Sequence, residues 1–357
     1  MVMADNPVGF MADFPARREA GYRAVSELCH RYLTGLILAM VIEVGTDRTA
    51  RIVKALFRRQ QEERFLPGLQ KLGLADEPDA IACAKYHYLS NHLGGVSVVY
   101  VAESDTKAWV KYLPPRWIFD GAAIAGIPTE ISRAMLWGWH ANNGILLGNP
   151  RLGFVCTGQT VDAMPGLEGY YIEESDPLPP SDRLRFRFGE NCPPFDKEDL
   201  PALDSQEWPT ERLQKAGRNY TMDYIRNLVP VASQELGPLV AQSILYRTGR
   251  KIGMQYSSFV TETMGSDNPS QVLAALFEAQ GDAVTWEGTE VTQSTWRLMR
   301  GLEAESTPEW MNGILGLWEG VLLVIDPHVR LELLERLDTG GERFLWRISK
   351  SGRPSPY

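Results

Sequence analysis

At 357 residues the chain exceeds what one ordinary hydrophobic core holds, so two domains are expected. Its 44% hydrophobic and 23% charged residues exclude a disordered chain. A net charge of −9 argues against nucleic-acid or membrane partners, since both require a concentrated basic face.

In chain order, the first residues include Asp5, Asp13 and Glu19, with no apolar core leading to a small-residue cleavage site; no signal peptide is expected. The most apolar run, Leu33 to Val44, falls short of the roughly 20 residues of a membrane span and reads as a buried helix or strand. A long helix is expected from Asp47 to Leu72, with Ile52, Val53, Leu56, Phe57, Phe65 and Leu69 on one face and Gly73 at its end. A second helix opens at Asp76-x-Pro78 and stops at Gly94-Gly95, because proline suits the first turn and glycine a left-handed cap. Two strand-like runs follow, the second holding Trp109. A tryptophan-rich helix (MLWGWHANNGILLG) then leads to Asn149-Pro150, a strand, a turn at Gly166 and a last strand, GYYIEE.

From Asp176 to Pro209 the chain is dense in proline, as in a linker or surface crossover. Within it, Arg183 to Arg187 alternates with Leu184 and Phe186, which fits a half-exposed strand or extended segment better than a phosphate-binding patch. The earlier order of signals then returns. A helix over Gln234 to Met264 carries Leu239, Ile244, Leu245 and Ile252 and ends at Gly265, and another starts at Asp267-x-Pro269 and ends at Gly281. Two strand-like runs, the second with Trp296, precede the helix EWMNGILGLWEGVLLV, Asp326-Pro327, a strand, Gly340-Gly341 and RFLWRIS.

Strands grouped between helices, without strict alternation, predict an α+β fold of two similar halves, each a helical layer on an antiparallel sheet, related by internal duplication. The expected boundaries are 1–176 for the half carrying the site, 177–214 for the linker and 215–357 for the second half. Cys29, Cys83, Cys156 and Cys192 stand far apart with no CxxC, which reads as reduced thiols in a cytoplasmic protein. The tryptophan-rich helices offer surfaces for packing the halves together or for a homodimer. No GxGxxG, GxxxxGK[ST], GxSxG or HExxH occurs, which removes the commonest nucleotide, hydrolase-elbow and zincin readings.

Histidines are few and unevenly placed: His30, His87, His92 and His140 lie in the first half, and only His328 in the second. The densest polar cluster inside apolar sequence is Trp137, Trp139, His140, Asn142 and Asn143. Its rings and amides suit a pocket wall that stacks on a planar ligand and reads its polar edge. His87 lies mid-helix between Tyr86 and Tyr88, with Asn91 one turn on; His92 sits too far round that helix to share a ligand with it. His87 and His140 with Glu103 or Glu63 would make a two-histidine, one-carboxylate site for iron, zinc or another divalent metal. Glu103 ends an apolar strand where a buried carboxylate would have a raised pKa. Cys156, with His140 as base and Asp162 as orienting group, would form a nucleophilic arrangement. For each of these side chains the competing reading is a satisfied core or surface group.

ILYRTGRKIG (Ile244 to Gly253), GLWEGVLLVIDP (Gly316 to Pro327) and LDTGGERFLWRI (Leu337 to Ile348) resemble the 4-vinyl-reductase-type ligand-binding domain and its relative, the L-2-amino-thiazoline-4-carboxylate hydrolase-like family. The resemblance covers the second half, and reaches the first only through the repeat. It implies a helical layer on an antiparallel sheet with a glycine turn before the last strand. Members often carry a cysteine just after that turn; here Phe344 stands there, and Tyr170 or a neighbour in the first half. The implied activity is hydrolysis or ring opening at a C–N bond of a small polar, cyclic or aromatic substrate. The alternative is a non-catalytic protein that binds or senses a tetrapyrrole or other apolar molecule.

Overall fold

A computed structural model of the protein describes residues 15–118, 126–196 and 200–350. Its contacts divide the chain into a unit Met40–Ala216 and a unit formed by Met1–Ala39 with Gly217–Tyr357. Both divisions fall inside helices, α1 (Pro15–Val44) and α6 (Thr210–Leu236). These units are drawn differently from the expected 1–176, 177–214 and 215–357. Residues 15–39 group with the C-terminal elements, and the proline-rich segment belongs to the first unit.

The apolar face of α1 explains the grouping. Leu28, Leu33, Leu36 and Ile37 are buried, Tyr32 donates from its hydroxyl to the Leu245 carbonyl at 2.9 Å, and Ile252 lies directly over Gly35. By length and composition Arg17–Val44 could cross a membrane, a longer apolar helix than the sequence run alone indicates, yet half of the qualifying window is buried inside the protein.

In the unit Met40–Ala216, α2 (Thr46–Lys71) and α3 (Asp79–Leu93) precede the hairpin β1 (Val98–Ser104) and β2 (Lys107–Tyr112). Then come α4 (Thr129–Gly138), a 3-10 turn at His140–Asn142, α5 (Asn143–Leu146), β3 (Leu152–Gly158), β4 (Leu167–Glu173) and β5 (Leu184–Phe186). The sheet order is β1-β2-β4-β3-β5, antiparallel except that β5 runs parallel to β3. The alternation around Leu184 and Phe186 therefore does mark a strand. Period two places Trp109, Val155 and Tyr170 on the outer face, where Val101, Ile172 and Cys192 pack on them. Tyr112, Phe154 and Tyr171 point to the opposite face, toward the helices.

The helices of this unit approach closely. A Cβ on Gly138 would lie 2.6 Å from the Lys54 carbonyl oxygen and 2.7 Å from Phe57 Cβ, so α4 meets α2 where only glycine fits. Arg58 of α2 donates to the carbonyls of Gly138 and Trp137, both at 2.9 Å, and so caps the C-terminus of α4.

The other unit contains α6, α7 (Pro238–Met264), α8 (Pro269–Gln280), the hairpin β6 (Val284–Glu287) and β7 (Glu290–Gln293), α9 (Pro308–Ile325), and the hairpin β8 (Val329–Glu335) and β9 (Phe344–Lys350). Its sheet order is β6-β7-β9-β8, all antiparallel. Trp296 falls beyond β7, at a 3-10 turn (Arg297–Met299), and not in a strand as expected. α1 and α2 meet at one glycine with positive φ, Gly45 at 83°, as α6 and α7 meet at Gly237, at 84°. A shorter helix, a hairpin, a helix and a second hairpin follow in the same order, and the first four strands of each sheet share one neighbour pattern.

Candidate functional site

The inner face of the unit Met40–Ala216 is polar where a core is usually apolar. His87, Asn91, His140, Asn142, Asn143, Gln60 and Gln61 are all buried. Three elements bring them together. α3 supplies Tyr86 and His87, the turn after α4 supplies Trp139 to Asn143, and α2 supplies Gln61 from the stripe that also holds Phe57 and Phe65. Tyr112 of β2 and Tyr171 of β4 complete the cluster from the sheet.

The rings form a stack. His87 and His140 lie 4.1 Å apart with 13° between their planes, and Tyr171 lies parallel to both at 5.8 and 5.9 Å. Phe154 closes on His140 at 4.6 Å, while Trp139 stacks on Tyr86 at 6.2 Å and meets His87 edge-on.

Hydrogen bonds run through the cluster in one direction. Asn142 Nδ2 donates to Gln61 Oε1 (2.8 Å), and Gln61 Nε2 donates to Asn143 Oδ1 (3.0 Å). Asn143 Nδ2 donates to the Tyr171 hydroxyl (2.9 Å) and faces His87 Nε2 at 3.3 Å. An amide nitrogen only donates, so His87 Nε2 accepts and the proton of this neutral ring sits on Nδ1. That N–H donates to the Tyr112 hydroxyl (3.0 Å), which in turn donates to His140 Nε2 (3.1 Å). His140 therefore carries its own proton on Nδ1. The chain starts at Asn142 and ends at His140, two residues apart on one turn.

Its two ends are unmet. Asn142 Oδ1, an acceptor, and His140 Nδ1, a donor, are buried with no hydrogen-bond partner, as is the indole Nε1 of Trp139. A buried polar atom without a partner costs roughly 1–3 kcal/mol, so three on one turn are not neutral packing.

Both imidazoles are held neutral. Burial, with the Arg116 guanidinium nearby, pushes His87 down to about 3. Burial, then His87 and then Arg116 hold His140 well below the usual histidine range. Arg116 itself lies over the rings of Trp117 (4.1 Å) and Tyr112 (5.4 Å).

The remaining sequence candidates lie elsewhere or are otherwise occupied. Glu103 is not buried with the histidines: its side chain is 43% exposed and bonds Lys107 and the Trp109 indole, and its pKa is lowered by those bonds, first Lys107 and then Trp109, instead of raised. Glu63 is half-buried beside Arg59 on α2. Among the described residues no group of three or more His, Cys, Asp or Glu side chains can hold a metal ion, so the expected site of His87, His140 and Glu103 is not formed. Cys156 is fully buried, its thiol pushed up to about 12 by burial, and Sγ donates to the Gly158 carbonyl. Asp162 accepts from Thr129 and Gln159, which leaves no orienting carboxylate for His140. Trp137 is half-buried under Lys54, and Asn91 turns back to the His87 carbonyl at 2.8 Å. His92 stacks on Tyr88.

Sequence reasoning missed Gln61, Tyr112 and Tyr171. Gln61 left one signal: an amide at the position between Phe57 and Phe65 on an apolar stripe. A groove of about 270 Å³ lies in the other unit, along α9 and β8. On its wall Tyr246 donates to Glu319, and Arg250 donates to the Tyr246 hydroxyl at 3.0 Å. Compared with protein-family models, curated proteins and solved structures, the chain gives no match.

Proposed function

We propose that the unit Met40–Ala216 binds a small planar molecule, polar and cyclic or aromatic, at the turn from Trp139 to Asn142. The observation that carries this reading is the set of three buried, unpartnered polar atoms on that turn, set against a stack of neutral rings. Trp139 is only half-buried, so the turn lies next to the surface. The test is a screen of planar heterocycles and simple aromatic rings by tryptophan fluorescence and thermal shift. Binders that protect the wild type but not Asn142→Leu or His140→Phe, each checked for folding by circular dichroism, support the reading. A screen in which no ring binds, or in which binding survives both substitutions, overturns it.

A second reading, hydrolysis or ring opening at a C–N bond, draws support from one feature. Tyr112 holds His140 in the neutral tautomer with its N–H on Nδ1, and that N–H can polarise the carbonyl or amidine of a bound substrate by hydrogen bonding without giving up its proton. This route uses the histidines alone, since the protonated Cys156 thiol is a poor nucleophile. Turnover of a bound amide or amidine, lost in Tyr112→Phe while binding persists, distinguishes catalysis from binding.

We also propose that the two units descend from one duplicated module and that the four free thiols reflect a cytoplasmic setting. The duplication is supported by the repeated element order and the matching glycine junctions. Counted from those junctions, Gln61 matches Gly253, and Gly253 packs on the backbone of Leu317 and Gly320. One module thus carries amides where the other brings two helices into contact.

A further inference from the structure

The open ends of the hydrogen-bond chain carry chemical information beyond the presence of a site. Resting on the small-molecule reading above, we infer that the ligand presents a cyclic-amide edge, a ring N–H beside a carbonyl, as in a pyridone or pyrimidinone. The turn offers His140 Nδ1–H and Trp139 Nε1–H as donors and Asn142 Oδ1 as acceptor. A carbonyl oxygen has two lone pairs and takes both donors, and the adjacent ring N–H supplies the proton that Asn142 Oδ1 requires. A primary amide presents the same pair without the ring, and the other simple edges do not match. A carboxylate would leave Asn142 Oδ1 facing an anion, an ether or ester has no donor, and an ammonium cannot accept from either ring.

With Asn142, Gln61 and Asn143 in this orientation the chain fixes the assignment. Reversing all three together exchanges the free acceptor of Asn142 for a donor and the free donor of His140 for an acceptor, and the same amide edge then binds turned over. Asn142 Nδ2 is engaged by Gln61 Oε1, so rotating that amide alone to present a donor would break the bond at 2.8 Å and set two like atoms against each other. Likewise, moving the His140 proton to Nε2 would confront the Tyr112 hydroxyl hydrogen, and reversing that hydroxyl would in turn confront His87 Nδ1–H and Asn143 Nδ2. Each donor fixes the next, and an amide edge joining Asn142 to His140 closes the chain into a ring in which every bond polarises its neighbours. Burial of His87 and His140 keeps cationic forms, which would erase the pattern, out of the site.

The experiment compares 2-pyridone and uracil with N-methyl-2-pyridone, 2-methoxypyridine and toluene, by calorimetry on the full-length protein. The expected result is binding of 2-pyridone roughly tenfold tighter than of its N-methyl form, the scale of one hydrogen bond. Asn142→Leu should abolish that preference. Retained binding of N-methyl-2-pyridone by Asn142→Leu, with an unchanged circular dichroism spectrum, controls for folding. Equal binding of 2-pyridone and N-methyl-2-pyridone, or toluene binding as tightly as either, overturns the amide-edge assignment and leaves the small-molecule site standing. Failure of every ring, amide-bearing or not, overturns the site and the assignment together.

Discussion

The imidazoles of His87 and His140 lie face to face at 4.1 Å, and the hydroxyl of Tyr112 joins Nδ1 of the first to Nε2 of the second. Two rings this close, both buried, cannot share the cluster as cations. Each is pinned in one neutral tautomer by the groups around it, which turns a pair of basic side chains into a fixed pattern of donors and acceptors.

This neutrality sets a pH dependence. An unfolded histidine titrates near 6.5, whereas folded His87 resists protonation down to about 3. Below pH 6.5 the unfolded chain binds a proton that the folded chain refuses, so stability is full above 6.5 and falls as pH drops toward 3. Urea midpoints at pH 7 and pH 5 should differ, by about 1.4 kcal/mol per unit for each such histidine. His140→Phe should make the slope shallower. A midpoint constant between pH 7 and pH 5 would contradict the neutral stack.

Asp282 in the other unit has the opposite sign. Burial raises its carboxyl to about 6, against bonds from the Arg297 backbone N–H, Thr295 and Gln293. The folded chain holds a proton that the unfolded one releases, so this contribution is present at low pH and is lost as pH rises from about 4 through 6. Relative to wild type, Asp282→Asn should gain stability between pH 4 and pH 7. A difference independent of pH would refute the shift.

Tyr112→Phe removes only the bridging hydroxyl. It leaves His87 Nδ1–H and His140 Nε2 unmet, which should cost roughly 1–3 kcal/mol in chemical denaturation. Nitrogen NMR should also show His140 losing its fixed tautomer. Unchanged ring-nitrogen shifts would mean the hydroxyl does not order the pair.

Gly253 has no room for a methyl group. A Cβ there would meet the backbone of Leu317, Gly320 and Val321, none of which is a flexible side-chain end. Gly253→Ala should lower stability by about 1–3 kcal/mol, the usual cost of overpacking. A neutral effect would show that α7 and α9 separate at little cost.

Cys156 should be chemically silent. With its thiol buried and pushed up to about 12, iodoacetamide at pH 8 should label it only after unfolding. Rapid labelling of the native protein, located by peptide mapping, would reopen the nucleophile reading.

Local signals in the sequence carried much of the fold. Glycine stops were legible because a left-handed cap depends on one residue: Gly265 and Gly281 end α7 and α8 at φ 67° and 96°. The hairpins and the strand around Leu184 and Phe186 followed from period two. The first helix falls in the expected half 1–176 but groups with the C-terminal elements, because its partners on α7 lie some two hundred residues away. The turn from Trp137 to Asn143 stood out by composition, whereas Tyr112 and Tyr171 look like any strand tyrosine until the sheet register turns them inward. Glu103 misled because a strand-end carboxylate looks the same whether the sheet edge is buried or, as here, turned to Lys107 and Trp109.

The placement of α1 has a consequence for synthesis. On the ribosome its residues emerge long before those of α7, but the carbonyl that receives the Tyr32 hydroxyl belongs to Leu245, and the side chain that covers Gly35 belongs to Ile252. At the usual 5–20 residues per second, translation of the intervening stretch lasts about ten seconds or more. For that interval the apolar face of α1 (Leu28, Leu33, Leu36 and Ile37) waits without its final neighbours, while every residue of Met40–Ala216 becomes available to fold. A nascent chain stalled before α7 should therefore expose the apolar face of α1, the kind of surface that chaperones shield.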